Sequence, residues 1–170
     1  SSKYVSSEIF RPEISALKDH KMEAYIPQYM KYIKQNVPKI LIFDVDETNY
    51  CQTLRLSKLI KEKENHIHIL LIGHYAATYR LQILKRHIYI NAIVTSDEEY
   101  IIYELIQKIR FEQGIESVKG IALRIGSRIK DNACGKLAED LDSLPLQNLE
   151  NICKDAQIAH LTASRGCYGN

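Results

Sequence analysis

Lys39-Ile40-Leu41-Ile42-Phe43-Asp44-Val45-Asp46-Glu47-Thr48 is the stretch whose reading decides the fold. Its apolar run, 40–43, predicts a buried strand of the kind found in parallel sheets covered on both faces. The run ends in two carboxylates, Asp44 and Asp46, followed by the hydroxyl of Thr48. In open α/β sheets ligands sit outside the carboxyl ends of the strands, so chemistry is expected here. Residues two apart on a strand share a face, which puts both carboxylates on one side. Two acids held together repel and resist desolvation, and a divalent cation is the simplest compensation. Mg²⁺ suits such a pair, since it takes oxygen ligands from one or two carboxylates plus water and phosphate. The plainer alternative is a strand end running into a solvated acidic turn.

The rest of the chain fits an α/β domain. At 170 residues it is expected to form one domain with a real core. An apolar content of 45% and a charged content of 26% are those of an ordinary globular protein. The net charge of +2, with no basic run, gives no sign of a nucleic-acid partner. Cys51, Cys134, Cys153 and Cys167 are widely spaced, without zinc or Cys-x-x-Cys patterns, and read as reduced thiols in a cytoplasmic compartment. No apolar run approaches the roughly 20 residues that cross a bilayer. A start at Ser1 is expected of a processed chain or of a piece of a longer protein.

Taken in order, 14–35 has helical spacing, with Met22, Tyr25, Ile26, Tyr29, Met30 and Ile33 on one face. Pro27 should kink that helix or begin a new one. Residues 1–38 are expected to be a helical extension packed on a core of 39–170. After Thr48 the pattern predicts a helix over 52–64, a strand over 66–72 ending at Gly73-His74, and a helix carrying Ala77, Leu81, Leu84 and Ile88. A third strand over 90–96 and a helix over 97–112 follow, then a fourth strand over 121–125. Gly126-Ser127 is read as turning into a helix over 130–141, and 158–161 as a fifth strand. Strands alternating with helices imply a three-layer α/β fold, doubly wound on a parallel sheet.

Phe43-Asp44-Val45-Asp46-Glu47-Thr48 after an apolar strand resembles the first motif of the haloacid dehalogenase-like hydrolases, Asp-x-Asp-x-Thr. The resemblance extends to the order of elements over roughly 39–162. It implies that Asp44 is a nucleophile forming an aspartyl-phosphate, that Asp46 is its general acid/base, and that the ends of strands 1 and 4 lie side by side. The short connection after Thr48 leaves no room for a large cap. Gly73 and His74 stand where that family has a Thr or Ser donor, and no Lys matches its third motif. Its fourth motif is met by Gly126-Ser127-Arg128-Ile129-Lys130-Asp131, with Ser127 in place of a metal-binding acid.

The resemblance therefore implies a degenerate Mg²⁺-dependent phosphohydrolase. Asp44, Asp46 and Asp131 would hold the metal, and Thr48, Gly73, His74, Ser127 and Arg128 would meet a phosphorylated, possibly macromolecular, substrate. The rival expectation is a catalytically inactive module of the same fold that binds a protein partner or a phosphorylated ligand. Loss of one charge-stabilising donor typically slows an enzyme by about 10²–10³, so the altered positions weigh against ordinary phosphatase activity. His66 and His68 share a strand face as a metal pair would, with surface histidines as the plainer reading. His74, at a carboxyl end of the sheet, is the histidine placed to act.

Overall fold

Three parallel strands and a reversing pair make the sheet. The computed structural model describes residues 26–95 and 98–132. These lie in the first of two compact units, Ser1–Leu137 and Ala138–Asn170. The chain order is α1 (Ile26–Asn36), β1 (Ile40–Asp44), α2 (Tyr50–Lys63), β2 (His68–Ile72), α3 (His74–Thr78), α4 (Arg80–Arg86), β3 (Ala92–Val94), α5 (Glu98–Arg110), β4 (Ile121–Ile125) and β5 (Arg128–Asn132). The expected fifth strand over 158–161 lies outside the described residues, as do Cys134, Cys153 and Cys167.

The strands run in the order β1-β2-β3-β4-β5. β1, β2 and β3 are parallel, with Phe43 opposite Leu71 and Leu71 opposite Ile93. β4 runs antiparallel to β3, and β5 antiparallel to β4. Because β1, β2 and β3 follow one another across the sheet, right-handed crossovers place α2 and the α3–α4 pair on the same face. The buried residues agree. Leu54, Leu56 and Ile60 of α2, Ala76 of α3, and Ile83 and Leu84 of α4 pack with Ile69, Leu71 and Ile93 of the sheet. The other face carries α5, whose Ile101 and Leu105 cover Leu70, Val94, Ile121 and Leu123. Helices on both sides of one sheet give the expected three layers.

Two local features explain where elements begin and turn. Pro27 is the second residue of α1 as described, and the helical spacing expected over 14–25 lies outside the described residues. Gly126 has φ +58 at the first central position of a two-residue turn between Ile125 and Arg128. That sign is what a type II′ hairpin asks of its first central residue. The segment after Gly126-Ser127 is therefore β5, not the expected start of a helix. Arg128 to Asn132 alternates sides of a strand with Ile129 inward on the first core cluster.

Gly73 joins the tops of β1 and β2. It has φ +97, and a Cβ there would lie 2.6 Å from Asp44 Oδ1 and 2.7 Å from the Val45 carbonyl. Val45 N–H donates to the Ile72 carbonyl at 3.0 Å, so the two chains stay paired just below this contact. A side chain at 73 would force them apart. Gly73→Ala is expected to lower stability by about 2–4 kcal/mol through backbone strain and overpacking together. Urea unfolding checks this, and a loss no larger than that of an exposed surface substitution would refute it.

Candidate functional site

The carboxyl ends of β1, β2 and β3 form one crest, and the segments that leave them set its chemistry. Leaving β1, Asp46 ties down the turn that leads into α2. Its Oδ1 accepts from the Thr48 hydroxyl at 2.6 Å, from the Thr48 N–H at 2.7 Å and from the Asn49 N–H at 2.9 Å. Asn49 returns the contact: its Oδ1 accepts from the Asp46 N–H at 3.1 Å, and its Nδ2 donates to the Asp44 carbonyl at 3.1 Å. This is the reciprocal arrangement of a capping box, in which a side chain at each end satisfies the other's backbone N–H. The Thr48 hydroxyl holds the Asp46 carboxyl below the usual carboxylate range, helped by the Asn49 and Thr48 backbone N–H groups.

Leaving β2, the chain turns through Gly73 into α3. His74 is exposed there, with no hydrogen bond or ion pair to its ring among the described residues. Tyr75 and Tyr79 follow at helical spacing, and Tyr50 comes across from the start of α2. The Tyr50 and Tyr75 ring centroids are 5.1 Å apart, and those of Tyr75 and Tyr79 are 4.8 Å apart, all tilted. Tilted pairs at these separations typically contribute about 0.5–1.5 kcal/mol beyond burial. Burial first, then Tyr75, pushes the Tyr50 hydroxyl up, so it stays a neutral phenol. Leaving β3, Thr95 donates its N–H to the Gly120 carbonyl at 2.8 Å, while its side-chain oxygen is buried with no partner among the described residues. In register, Val45, Gly73 and Thr95 form one row, two residues beyond the row of Phe43, Leu71 and Ile93.

The structure does not bring the other expected site residues to this crest. The reversal at β4 carries the turn Gly126-Ser127 and Arg128 to the opposite edge of the sheet. β1 and β4 are also three strand spacings apart, about 14 Å, before that difference in height is counted. Asp131 is on β5, where it accepts from Arg80 Nε at 3.0 Å. Arg80 also donates to the Ala77 carbonyl at 3.0 Å, so the pair fastens β5 to the α3–α4 junction. Among the described residues no group of three or more His, Cys, Asp or Glu side chains could hold a metal ion. His66 and His68 lie at the amino edge, where His66 stands 3.7 Å from Glu64 and His68 is kept neutral by burial, with Lys61 adding to the effect.

These placements overturn the haloacid dehalogenase-like resemblance. Its fold requires the ends of strands 1 and 4 to be neighbours, and here they are neither adjacent nor parallel. The Asp-x-Asp-x-Thr string is a helix-capping turn: an N-terminal cap wants an acid, a hydroxyl and an amide at this spacing as much as a phosphatase does. The phosphohydrolase expectation, its inactive-module alternative and the Mg²⁺ site fall with it.

Sequence reasoning missed two parts of the crest and, away from it, Arg80. The Tyr75 and Tyr79 spacing was visible, but Tyr50 joins them only through the fold. Thr95 closes β3 in the same row as Gly73, a placement that the strand pairing shows and the sequence alone does not. Arg80 carried no local signal.

No protein-family model matches the chain, and no curated protein does. Solved structures do match. Two are of the cobalamin-dependent S-adenosylmethionine radical enzyme OxsB, one with aqua-cobalamin and S-adenosylmethionine bound and one with aqua-cobalamin bound. They superpose with TM-scores of 0.57 and 0.56 at 19% and 20% identity over 68% of this chain. A third is the radical S-adenosylmethionine methyltransferase TsrM from Kitasatospora setae, with tryptophan and a S-adenosylmethionine analogue bound. It gives a TM-score of 0.59 at 12% identity over 69% of this chain. The fold is Rossmann-like. The chain spans 16% of the OxsB chains and 22% of the TsrM chain, a part of much longer proteins. The OxsB structures hold aqua-cobalamin, one of them with S-adenosylmethionine, and the TsrM structure holds a S-adenosylmethionine analogue, which speaks against the expected Mg²⁺ and phosphorylated substrate. No helix among the described residues is long and apolar enough to cross a membrane.

The capping turn predicts a pH signature. Asp46 has a lowered folded-state value against an ordinary 3.8, so its contribution is complete above that value and is lost as the pH falls through the folded one. The stability difference between the wild type and Asp46→Ala should therefore be constant near neutrality and shrink in acid. Denaturant unfolding at several pH values measures it. A difference that grows in acid, or none at neutral pH, would contradict the capping role.

Proposed function

We propose that this chain is the cobalamin-binding module of a larger enzyme. The observation that carries the proposal is the likeness of its sheet and helices to a part of OxsB, which holds aqua-cobalamin. The crest fits such a ligand. Cobalamin is a broad macrocycle rimmed with neutral amides, and it asks for an open edge with hydroxyl and backbone partners. The row of Val45, Gly73 and Thr95 spans two strand spacings, about 10 Å.

Thr95 supplies the sharpest fit. A buried hydroxyl without a partner among the described residues typically costs about 1–3 kcal/mol, and the Thr95 hydroxyl would have to turn outward to meet an amide of the ligand rim. The tyrosines beside Gly73, Tyr50, Tyr75 and Tyr79, give apolar ring surface with hydroxyl ends. When bound, cobalamin supplies a cobalt centre for radical chemistry. The chain's own part is to bind and orient it. S-adenosylmethionine, a small sulfonium ion, makes less use of so broad a neutral crest.

Spectrophotometric titration of the chain with aqua-cobalamin, and separately calorimetry with S-adenosylmethionine, tests the proposal. Saturable cobalamin binding is expected. Thr95→Val should weaken it about tenfold, the loss of one good hydrogen bond. The same variant without ligand should be at least as stable as the wild type, because it deletes an unsatisfied group. Binding of S-adenosylmethionine alone, or no binding of cobalamin, would refute the reading.

A further inference from the structure

Tyrosine rings continue from the crest over the face of the sheet that α2 and the α3–α4 pair cover. Tyr50, Tyr75 and Tyr89 all pack against the same core cluster. Tyr79, at 45% exposure, is the outer end of the tilted series that runs through Tyr75 to Tyr50. Tyr50 in turn acts on Tyr89: after burial, it is what pushes the Tyr89 hydroxyl up. The chain has no tryptophan, so its phenols are its most easily oxidised aromatic groups.

Tyr89 has a base built beside it. Its hydroxyl stands 2.8 Å from His87 Nδ1, with the ring centroids 5.5 Å apart. A closed turn holds the pair. The His87 N–H donates to the Ile83 carbonyl at 2.9 Å, and the Ile90 N–H donates to the His87 carbonyl at 3.1 Å. Ile83 and Ile90 are themselves buried, which anchors both ends of the turn. Burial, then Arg86, holds His87 below the ordinary histidine value, so its ring is neutral near neutrality. A neutral imidazole with its proton on Nε2 accepts at Nδ1.

We infer that Tyr89 and His87 form a trap for an oxidising equivalent that enters at Tyr79 and passes through Tyr75 and Tyr50. A phenol that loses an electron becomes a strong acid, so its oxidation is easiest where a positioned base takes the proton at once. A one-electron oxidising radical beside the crest takes an electron from Tyr79, whose proton goes to water. Electrons then move along the series to refill Tyr79, which takes its proton back from water. At Tyr89 the O–H bond breaks, an N–H bond forms at His87 Nδ1, and a neutral phenoxyl faces an imidazolium. The oxidant has gained one electron and Tyr89 has lost one. The inference stands apart from the cobalamin-binding proposal, because any small oxidising radical that reaches Tyr79 serves.

Pulse radiolysis of the full chain with the azide radical, followed by rapid freezing and high-field electron paramagnetic resonance, tests this without any cofactor. In the wild type an early phenoxyl signal of solvent-exposed character should give way to a second, longer-lived phenoxyl that is hydrogen-bonded. Tyr89→Phe should lose the second signal, and Tyr75→Phe should slow its growth. His87→Gln keeps a polar partner but no base, and should lose the long-lived radical while circular dichroism shows the fold intact. Tyr103→Phe, at an exposed position of α5, should leave the second signal as it is. An early signal that decays in place in the wild type would overturn the inference, whether or not the variants fold. So would a second signal that survives in folded Tyr89→Phe or His87→Gln, that grows at an unchanged rate in folded Tyr75→Phe, or that is lost in Tyr103→Phe.

Discussion

The close approach of Gly73 to the end of β1 is the constraint on which the site depends. With Asp44 Oδ1 and the Val45 carbonyl both inside the space a Cβ would need, the first two parallel strands finish at one height. Below them the row of Phe43, Leu71 and Ile93, packed under α2 and the α3–α4 pair, fixes the sheet from one side. The Asp46 and Asn49 exchange then turns the chain out of β1 and into α2 without spreading over the crest. Packing thus aligns the ends of the parallel strands, and His74 stands exposed at that edge.

Much of the fold was legible and most of the site was not. The apolar runs of β1, β2 and β4 carry their own signal, because a strand buried by helices has few polar residues to blur it. β4 was placed over 121–125 from sequence, as it stands in the structure. β5 was missed because Gly126-Ser127 was read as turning into a helix over 130–141, where the structure has a strand over Arg128–Asn132. The Gly-Ser pair followed by alternating Arg128, Ile129 and Lys130 is itself a hairpin signal. Strand order and direction leave no local trace at all. They decide whether Ser127 and Arg128 lie beside Asp44 or across the sheet from it.

The Asp-x-Asp-x-Thr string shows why a short motif misleads. Carboxylate, hydroxyl and turn are required by a helix cap and by a phosphoryl-transfer site alike, and only the hydrogen bonds distinguish them. Asp46 gives its Oδ1 to three local donors. Thr95 is the reverse case: its hydroxyl oxygen, buried without a partner among the described residues, becomes informative once the fold surrounds it. Residues satisfied within the chain describe its folding, and those left unsatisfied at an open edge point to what the chain binds.

Chemical-shift mapping of the backbone amides on addition of aqua-cobalamin tests the central claim most directly, because it locates the ligand on the sheet. The account predicts that the perturbed amides cluster at Val45, Gly73, His74, Tyr75 and Thr95, and that Gly126, Ser127 and Arg128 at the opposite edge stay unchanged. Shifts centred on that opposite edge, or an unperturbed crest at saturating ligand, would contradict it.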